Sequence, residues 1–178
     1  MIRLDGFIVQ KQKTHFTCGY STLSMVTSYL GKKVDEETIL REFPLGYLGA
    51  TPSKVIKAFE KYIADYRMKY LVRSKDSVLN IVDAQLKNGI PIPFLYLTVN
   101  DFDKPNLVSH YSIIIGIDKE QGKVVIANPF GYEEIIEVDE LLRKMAFKIK
   151  GKMPFILKLS ILLKIMKGYM IFEIRKVE

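Results

Sequence analysis

The sequence is poor in the residues that build cross-linked or metal-bound frameworks. Its 178 residues contain one cysteine and two histidines. A single cysteine excludes an internal disulfide, and it also excludes a structural zinc site made of several thiolates. Chemistry based on histidine has only His15 and His110 to draw on. For the chemistry argued below, we expect that no metal ion and no organic cofactor is needed.

The sequence also lacks a signal-peptide pattern and long uncharged apolar runs. Residues 1–5 contain neither the apolar core nor the cleavage site of a signal peptide, which favours a cytoplasmic protein. Residues 153–174 are strongly apolar, but Lys158, Lys164 and Lys167 interrupt them. The uncharged runs that remain are far shorter than the ~20 residues of a membrane span. The chain is long enough to bury one core, and we predict a single domain over residues 1–178.

The net charge of +7 comes from 27 basic and 20 acidic residues. A protein that binds nucleic acid is expected to show basic residues interleaved with aromatic ones on one element. Here the lysines are spread along the chain, so we expect no nucleic-acid partner. Part of the excess lies in the last third of the chain, which would also suit an anionic surface or partner.

The order of periodic patterns predicts an α+β fold. Helical spacing dominates the first third of the chain, after an extended lead-in over residues 2–10, and strand-like patterns dominate the rest. Helices segregated from an antiparallel sheet are typical of the α+β class. The predicted helices cover about 18–30, 35–43, 52–63, 77–88 and 140–147, and the predicted strands about 66–72, 90–99, 110–118, 123–128, 135–138 and 169–175.

Cys18 lies where a polar segment gives way to the first helical pattern. Thr17 is a suitable N-cap residue, and apolar residues recur at helical spacing from Leu23 to Leu30, before Gly31. A thiol in the first turn of a helix faces unpaired N–H groups and the positive end of the helix dipole, and both favour the thiolate. Cys18 is therefore a candidate nucleophile, although a lone cysteine at a helix start is more often inert and buried.

A predicted hairpin brings two further polar residues together. His110 opens one strand and Asn128 ends the next, with the turn Lys119–Gly122 between them. Antiparallel pairing puts the start of the first strand beside the end of the second, so we expect His110 near Asn128. There Asn128 would fix the tautomer of the imidazole, and His110 would hold the thiol proton of Cys18. Considered singly, such residues are more often structural than catalytic.

Gln12 completes the set of roles that cysteine catalysis requires. It lies six residues before Cys18, so its side-chain amide is a candidate donor to an oxyanion, together with the backbone N–H of Cys18. Gln12 alone would carry no information about function. The four candidates together favour a thiol hydrolase.

These residues also resemble a known family. The resemblance covers residues 8–147, and it is to the bacteriocin-processing, double-glycine-leader peptidases, which belong to the papain-like cysteine peptidases. That family carries a glutamine, a Cys-Gly pair, a helix with a Tyr-x-Gly-like end, a His-Tyr strand, and an Asp-Pro or Asn-Pro pair after a short hairpin. The corresponding residues here are Gln12, Cys18-Gly19, Tyr29-Leu30-Gly31, His110-Tyr111 and Asn128-Pro129.

The resemblance implies a papain-like fold and cleavage of a peptide or protein substrate through an acyl-thioester. It implies the roles named above: Cys18 as nucleophile, His110 as base, Asn128 as orienting residue and Gln12 as oxyanion donor. Many relatives carry Asp at the position of Asn128. Others are fused to membrane transporters, and this chain has neither a transporter segment nor an ATP-binding motif. A leader peptide is therefore not implied as the substrate.

Two alternatives to hydrolysis stay open. The same residues would serve an acyltransferase, in which an amine rather than water captures the thioester. A non-catalytic relative would bind peptides in the inherited cleft, although every position needed for chemistry is occupied. A third interpretation is a membrane-surface interaction protein built on residues 153–168.

Several other features have more than one interpretation. His15 lies close to Cys18 and is a candidate second base, or simply an exposed loop residue. Asp101 and Asp103 would either line the cleft or form turns. Residues 148–168 are predicted as a basic apolar insertion before the last strand. Within it, residues 153–168 would form either a core or dimer helix, or an interfacial helix on an anionic membrane.

Overall fold

The computed structural model describes residues 1–46, 49–99, 107–149 and 153–177. Within these ranges the chain forms six helices and a seven-stranded antiparallel sheet, which confirms the predicted α+β class. The elements in chain order are β1 (Ile2–Arg3), α1 (Cys18–Tyr29), α2 (Glu36–Glu42), α3 (Pro52–Tyr62), β2 (Tyr66–Val72), α4 (Lys75–Lys87), β3 (Ile92–Val99), β4 (Leu107–Asp118), β5 (Lys123–Asn128), β6 (Tyr132–Glu137), α5 (Val138–Met145), α6 (Phe155–Leu162) and β7 (Met170–Lys176).

Strand β4 lies at the centre of the sheet. The strand order is β2-β7-β3-β4-β5-β6, and β1 pairs with the second half of β4. Helix α1 packs against the face of β4 that carries Tyr111, while α5 covers the face that carries Tyr96 of β3. Strands β3, β4 and β5 are buried over most of their length. Polar residues on these strands are therefore held by a packed core.

The helix starts follow from capping side chains. Asp35 and Thr51 accept hydrogen bonds from backbone N–H groups of the first turns of α2 and α3, and Ser74 does the same for α4. Thr17 precedes α1, but its side chain makes no cap hydrogen bond. Its hydroxyl instead accepts from the N–H of Thr14 and donates to the Thr14 carbonyl. Thr17 is therefore the N-cap residue of α1 by position, as predicted, but it makes no side-chain cap hydrogen bond because its hydroxyl is bonded to Thr14.

Several predicted strands differ in extent from those observed. Strand β4 begins at Leu107, so His110 lies inside this strand and does not open it as predicted. Strand β6 begins at Tyr132 rather than at Ile135, since the β5–β6 pairing extends back to Asn128 and Tyr132. Exposed polar side chains at the start of β6 hid it from the hydrophobic pattern. The predicted extended lead-in over 2–10 contains a strand only at Ile2–Arg3. The hairpin of β4 and β5 is confirmed.

Helix α6 lies inside the predicted insertion. None of its residues is fully buried, which contradicts the interpretation of residues 153–168 as a core helix. Leu157 and Ile161 are half-buried and pack against the main core, so the helix is attached along one side. Among the described helices, none is long and apolar enough to cross a membrane. The single-domain boundary and the insertion itself stay predictions.

Candidate active site

Cys18 is the first residue of α1 and is half-buried. The backbone N–H groups of Tyr111 and Gly19 lie against its sulfur atom. Burial raises the pKa of the Cys18 thiol above its usual value, because it disfavours the thiolate, and the hydrogen bonds from these N–H groups oppose the rise. The thiol is therefore placed beside the residue that follows His110 in the chain.

Gly19 allows α1 to approach the sheet this closely. A Cβ atom at this position would lie 2.9 Å from Cβ of Ala50 and 3.2 Å from the ring of Tyr111. The Tyr111 hydroxyl in turn donates to the carbonyl oxygen of Ala50 at 3.0 Å. Helix start, loop and strand thus meet at one point, and only a residue without a side chain fits between them.

His110 and Asn128 are brought together as the hairpin predicts. The distance from His110 Nε2 to Asn128 Oδ1 is 3.0 Å, and the exposed fractions of the two residues are 2% and 1%. Ile113 of β4 pairs with Ala127 of β5, so His110 and Asn128 lie on the same face as diagonal neighbours. Their contact follows from the register of the hairpin.

The hydrogen bonds around Asn128 fix the orientation of its amide. Oδ1 accepts from the backbone N–H of Phe130 at 3.0 Å, while Nδ2 donates to the Tyr96 hydroxyl and to Glu134 Oε2, both at 3.2 Å. An oxygen atom therefore faces His110, and His110 Nε2 must donate to it. The neutral imidazole consequently keeps its lone pair on Nδ1, which is the atom available to take a proton.

Aromatic rings and the protein interior surround the imidazole. The ring of Phe130 stacks on His110 with centroids 4.3 Å apart, and Tyr96 faces it across the β3–β4 pair. Burial lowers the pKa of His110 to about 4, and the hydrogen bond to Asn128 opposes that shift. Neither His110 nor Cys18 is therefore expected to carry a charge on its own near neutral pH.

Gln12 is anchored next to Asn128. Its backbone N–H donates to the carbonyl oxygen of Pro129 at 2.7 Å, and its side chain is almost completely buried. Side-chain Nε2 donates to the Thr14 carbonyl at 2.6 Å, which uses one of its two N–H bonds. Among the described residues, Oε1 of Gln12 is a buried oxygen with no hydrogen-bond donor. The other N–H bond of Nε2 could serve an oxyanion.

The remaining sequence candidates fall elsewhere. His15 is exposed and contacts the ring of Phe16 edge-on. The imidazole that lies beside Asn128 is that of His110. Asp101 and Asp103 lie outside the described residues. In the ranges that the structure covers, no group of three or more His, Cys, Asp or Glu side chains could hold a metal ion.

Three residues of the corner around His110 and Asn128 were not found from the sequence: Tyr96, Phe130 and Glu134. Gly19 was found as part of the Cys-Gly pair, but its packing against Ala50 and Tyr111 was not predicted. Tyr96 and Glu134 reach Asn128 from different strands, and the carboxylate of Glu134 also pairs with Lys144 Nζ at 3.4 Å. Strand pairing would have been the signal for Tyr96, because it lies directly opposite His110. Glu134 could be found only with the start of β6 correctly placed.

The fold is that of the papain-like cysteine peptidases. The model of the Peptidase_C39 like family matches residues 4–150, and the chain belongs to that family. A search of curated proteins gives no match. The resemblance to the bacteriocin-processing peptidases predicted from the sequence is therefore confirmed at the level of the family.

Solved structures share the fold at low sequence identity. A double glycine motif protease from an AMS/PCAT transporter, crystallised with its leader peptide, is 15% identical, with a TM-score of 0.64, over 98% of this chain and 94% of that one. The peptidase domain of Streptococcus ComA is 13% identical, with a TM-score of 0.60, over 78% and 91%. The N-terminal peptidase C39 like domain of a toxin secretion ATP-binding protein from Vibrio parahaemolyticus is 15% identical, with a TM-score of 0.54, over 90% and 97%.

Proposed function

We propose that this protein is a thiol hydrolase that cleaves a peptide or related amide bond through an acyl-thioester. The observation that carries the proposal is the hydrogen bond from His110 Nε2 to Asn128 Oδ1. Because the amide of Asn128 is held in one orientation, that bond leaves Nδ1 of His110 as the proton acceptor. The sulfur of Cys18 lies against the N–H of the next residue along β4.

In the proposed reaction, Sγ of Cys18 attacks the carbonyl carbon of the scissile bond. Its proton passes to Nδ1 of His110, and then from Nδ1 to the departing amine as the C–N bond breaks. Water then attacks the thioester, giving a proton to His110, and the acid leaves as the thiol is restored. Asn128 holds the ring in place throughout and supports the positive charge that forms on it.

Gln12 is proposed as the donor to the tetrahedral oxyanion, together with the backbone N–H of Cys18. Its anchoring to Pro129 and its deep burial support this role, since an oxyanion donor must be fixed before the charge develops. We expect Gln12→Ala to lower kcat by about 10²-fold with little change in KM. Gln10→Ala, which alters a nearby glutamine that accepts from Ser24, is the matched control.

The proposed substrate is a peptide or protein segment. Membership of a peptidase-like family supports this class, and one structural neighbour was crystallised with a leader peptide bound. We propose peptides in general as substrates, and not a leader peptide in particular. A cytoplasmic location likewise stays a prediction.

The test is incubation with a mixed peptide library, with new termini detected by mass spectrometry, alongside labelling by a peptidyl acyloxymethyl ketone. We expect cleavage and labelling of Cys18 in the wild type and in His15→Ala, and neither in Cys18→Ala or His110→Ala. Peptide binding without cleavage or labelling would contradict the proposal and favour a non-catalytic binding protein. Preferential capture of the acyl group by an added amine would instead favour an acyltransferase.

A further inference from the structure

The net positive charge of this protein comes from one part of the chain. Residues 141–172 contain eight basic residues and no acidic ones. The rest of the chain has 19 basic and 20 acidic residues, so it is almost neutral. The net charge of +7 is therefore not a general property of the surface, as the spread of lysines suggested. It belongs to the region that includes α5, α6 and the turn before β7.

The same region also exposes several large apolar side chains. The exposed fractions are 76% for Phe155, 66% for Leu162, 61% for Leu163 and 64% for Ile165. These residues lie on α6 and immediately after it, within residues 153–168, which we name the basic apolar segment. A run of exposed aromatic and aliphatic residues of this size usually marks a surface that a partner covers.

The positive charge and the apolar character of this surface together restrict the class of its partner. A second copy of the chain would face Lys164 and Lys167 with identical lysines across a twofold axis, and like charges repel. A nucleic acid would suit the charge, but the exposed residues are mainly aliphatic and offer few rings on which bases stack. An anionic lipid surface satisfies both, because the headgroups attract lysines and the acyl chains accept Leu, Ile and Phe.

The length of α6 decides between lying on a bilayer and crossing it. Its eight residues span about 12 Å, whereas the hydrocarbon core of a bilayer is about 30 Å thick. Leu157 and Ile161 also fasten one side of the helix to the core. The opposite side is thus presented as a fixed apolar ridge that can enter only the interfacial layer.

We propose that the basic apolar segment docks this protein on the surface of anionic membranes. Phe155, Leu162, Leu163 and Ile165 enter the boundary between headgroups and acyl chains, and the exposed Lys164 and Lys167 contact the lipid phosphates. This docking is independent of the proposed hydrolase activity, so it is expected in Cys18→Ala as well. It would bring the enzyme close to substrates at a membrane.

The experiment is co-sedimentation of the full chain with vesicles of phosphatidylglycerol and phosphatidylcholine, compared with vesicles of phosphatidylcholine alone. We expect binding to the anionic vesicles that weakens as salt rises from 50 to 500 mM, because higher ionic strength shortens the Debye length and screens the attraction between lysines and lipid headgroups. Lys164→Ala with Lys167→Ala should weaken binding about 25-fold. Leu162→Ser with Leu163→Ser should weaken it at least about 10-fold.

Matched controls come from exposed residues elsewhere. Lys32→Ala with Lys33→Ala removes the same charge, and Ile8→Ser with Ile135→Ser removes comparable exposed apolar area. Both control pairs should bind anionic vesicles as the wild type does. Equal loss in the controls, binding without regard to lipid charge, or no binding at all would overturn the proposal. So would light scattering that shows a stable dimer which Leu162→Ser with Leu163→Ser dissociates.

Discussion

The corner around His110 and the basic apolar segment depart from ordinary burial in opposite ways. At the corner, polar side chains are buried almost completely and each hydrogen bond restrains the next. Along the segment, large apolar side chains stand in solvent beside lysines. A buried polar group and an exposed apolar patch are the two observations that point most directly to function. The corner suits chemistry that needs fixed geometry, and the segment suits association that needs accessible surface.

The largest effect is expected at the base of the proposed reaction. His110→Ala should lower peptide cleavage by about 10³-fold or more, because the thiol loses the group that accepts its proton and returns it to the amine. The chain offers its own control in His15→Ala, which alters the exposed histidine and should leave kcat unchanged. Steady-state kinetics on one peptide substrate measures both. An equal loss of kcat in the two variants would contradict a specific role for the buried His110.

The burial of His110 also predicts how stability depends on pH. Its pKa is about 4 in the folded chain and near 6.5 when unfolded, so between these values the unfolded state binds more protons. Stability from this group is therefore complete above pH 6.5 and is lost as the pH falls towards 4, by about 3 kcal/mol. Urea unfolding between pH 4 and 7 should show this loss in the wild type and a smaller one in His110→Gln. Parallel profiles would contradict the buried, neutral imidazole.

The position of Glu134 makes the identity of residue 128 a sharper test. Asn128→Asp would place a carboxylate within about 3 Å of the carboxylate of Glu134, where Asn128 Nδ2 now donates at 3.2 Å. Two like charges so close cost several-fold in activity and about 2 kcal/mol of stability. We expect Glu134→Gln to restore most of the loss in the double variant, because its amide can donate to the new Asp. An Asn128→Asp variant that already matches the wild type would show that Glu134 does not hold residue 128.

A smaller effect is expected where α1 meets the sheet. Gly19→Ala adds a Cβ that approaches Ala50 to 2.9 Å, so we expect a loss of about 1–3 kcal/mol in unfolding free energy and slower labelling of Cys18. Gly46→Ala is the matched control, since a Cβ there meets no atom within 4 Å. Thermal unfolding and ketone labelling are the measurements. An unchanged labelling rate in Gly19→Ala would show that the reactivity of Cys18 does not depend on this packing.

The smallest effect on stability is expected in the exposed segment. Leu162→Ser should change the unfolding free energy by less than about 0.5 kcal/mol, because the side chain is 66% exposed and loses few contacts. The same substitution made in the core, Ile114→Ser, should cost several kcal/mol, since Ile114 is fully buried. Urea titration compares the two directly. A large loss in Leu162→Ser would mean that the segment is part of the folded core.

Local signals in the sequence predicted much of this molecule. Helices α2 and α3 begin close to their predicted positions, and the hairpin places His110 beside Asn128. These predictions succeeded because each depends on a few neighbouring residues or on one short turn. At Thr17 the position of the N-cap was predicted correctly, but its hydroxyl bonds to Thr14 in the preceding loop and does not cap the helix.

What the sequence did not predict depends on contacts between distant segments. Glu134 reaches Asn128 only because β6 begins earlier than its hydrophobic pattern indicates. Gly19 matters because residues 50 and 111 converge on it, and no local pattern contains that information. The catalytic roles of the four candidate residues stay predictions: Gln12, Cys18, His110 and Asn128.

The pH dependence of Cys18 alkylation by iodoacetamide tests the central claim most directly. Burial alone raises the pKa of this thiol, so an unassisted Cys18 should react only above the usual value of about 8.5. With His110 as the proton acceptor, we predict rapid alkylation of the native protein below pH 7 that is lost in His110→Ala and retained in His15→Ala. The thiol of the urea-unfolded chain supplies the reference profile. A native profile that matches His110→Ala would contradict the account, because Cys18 would then be a buried thiol without a base.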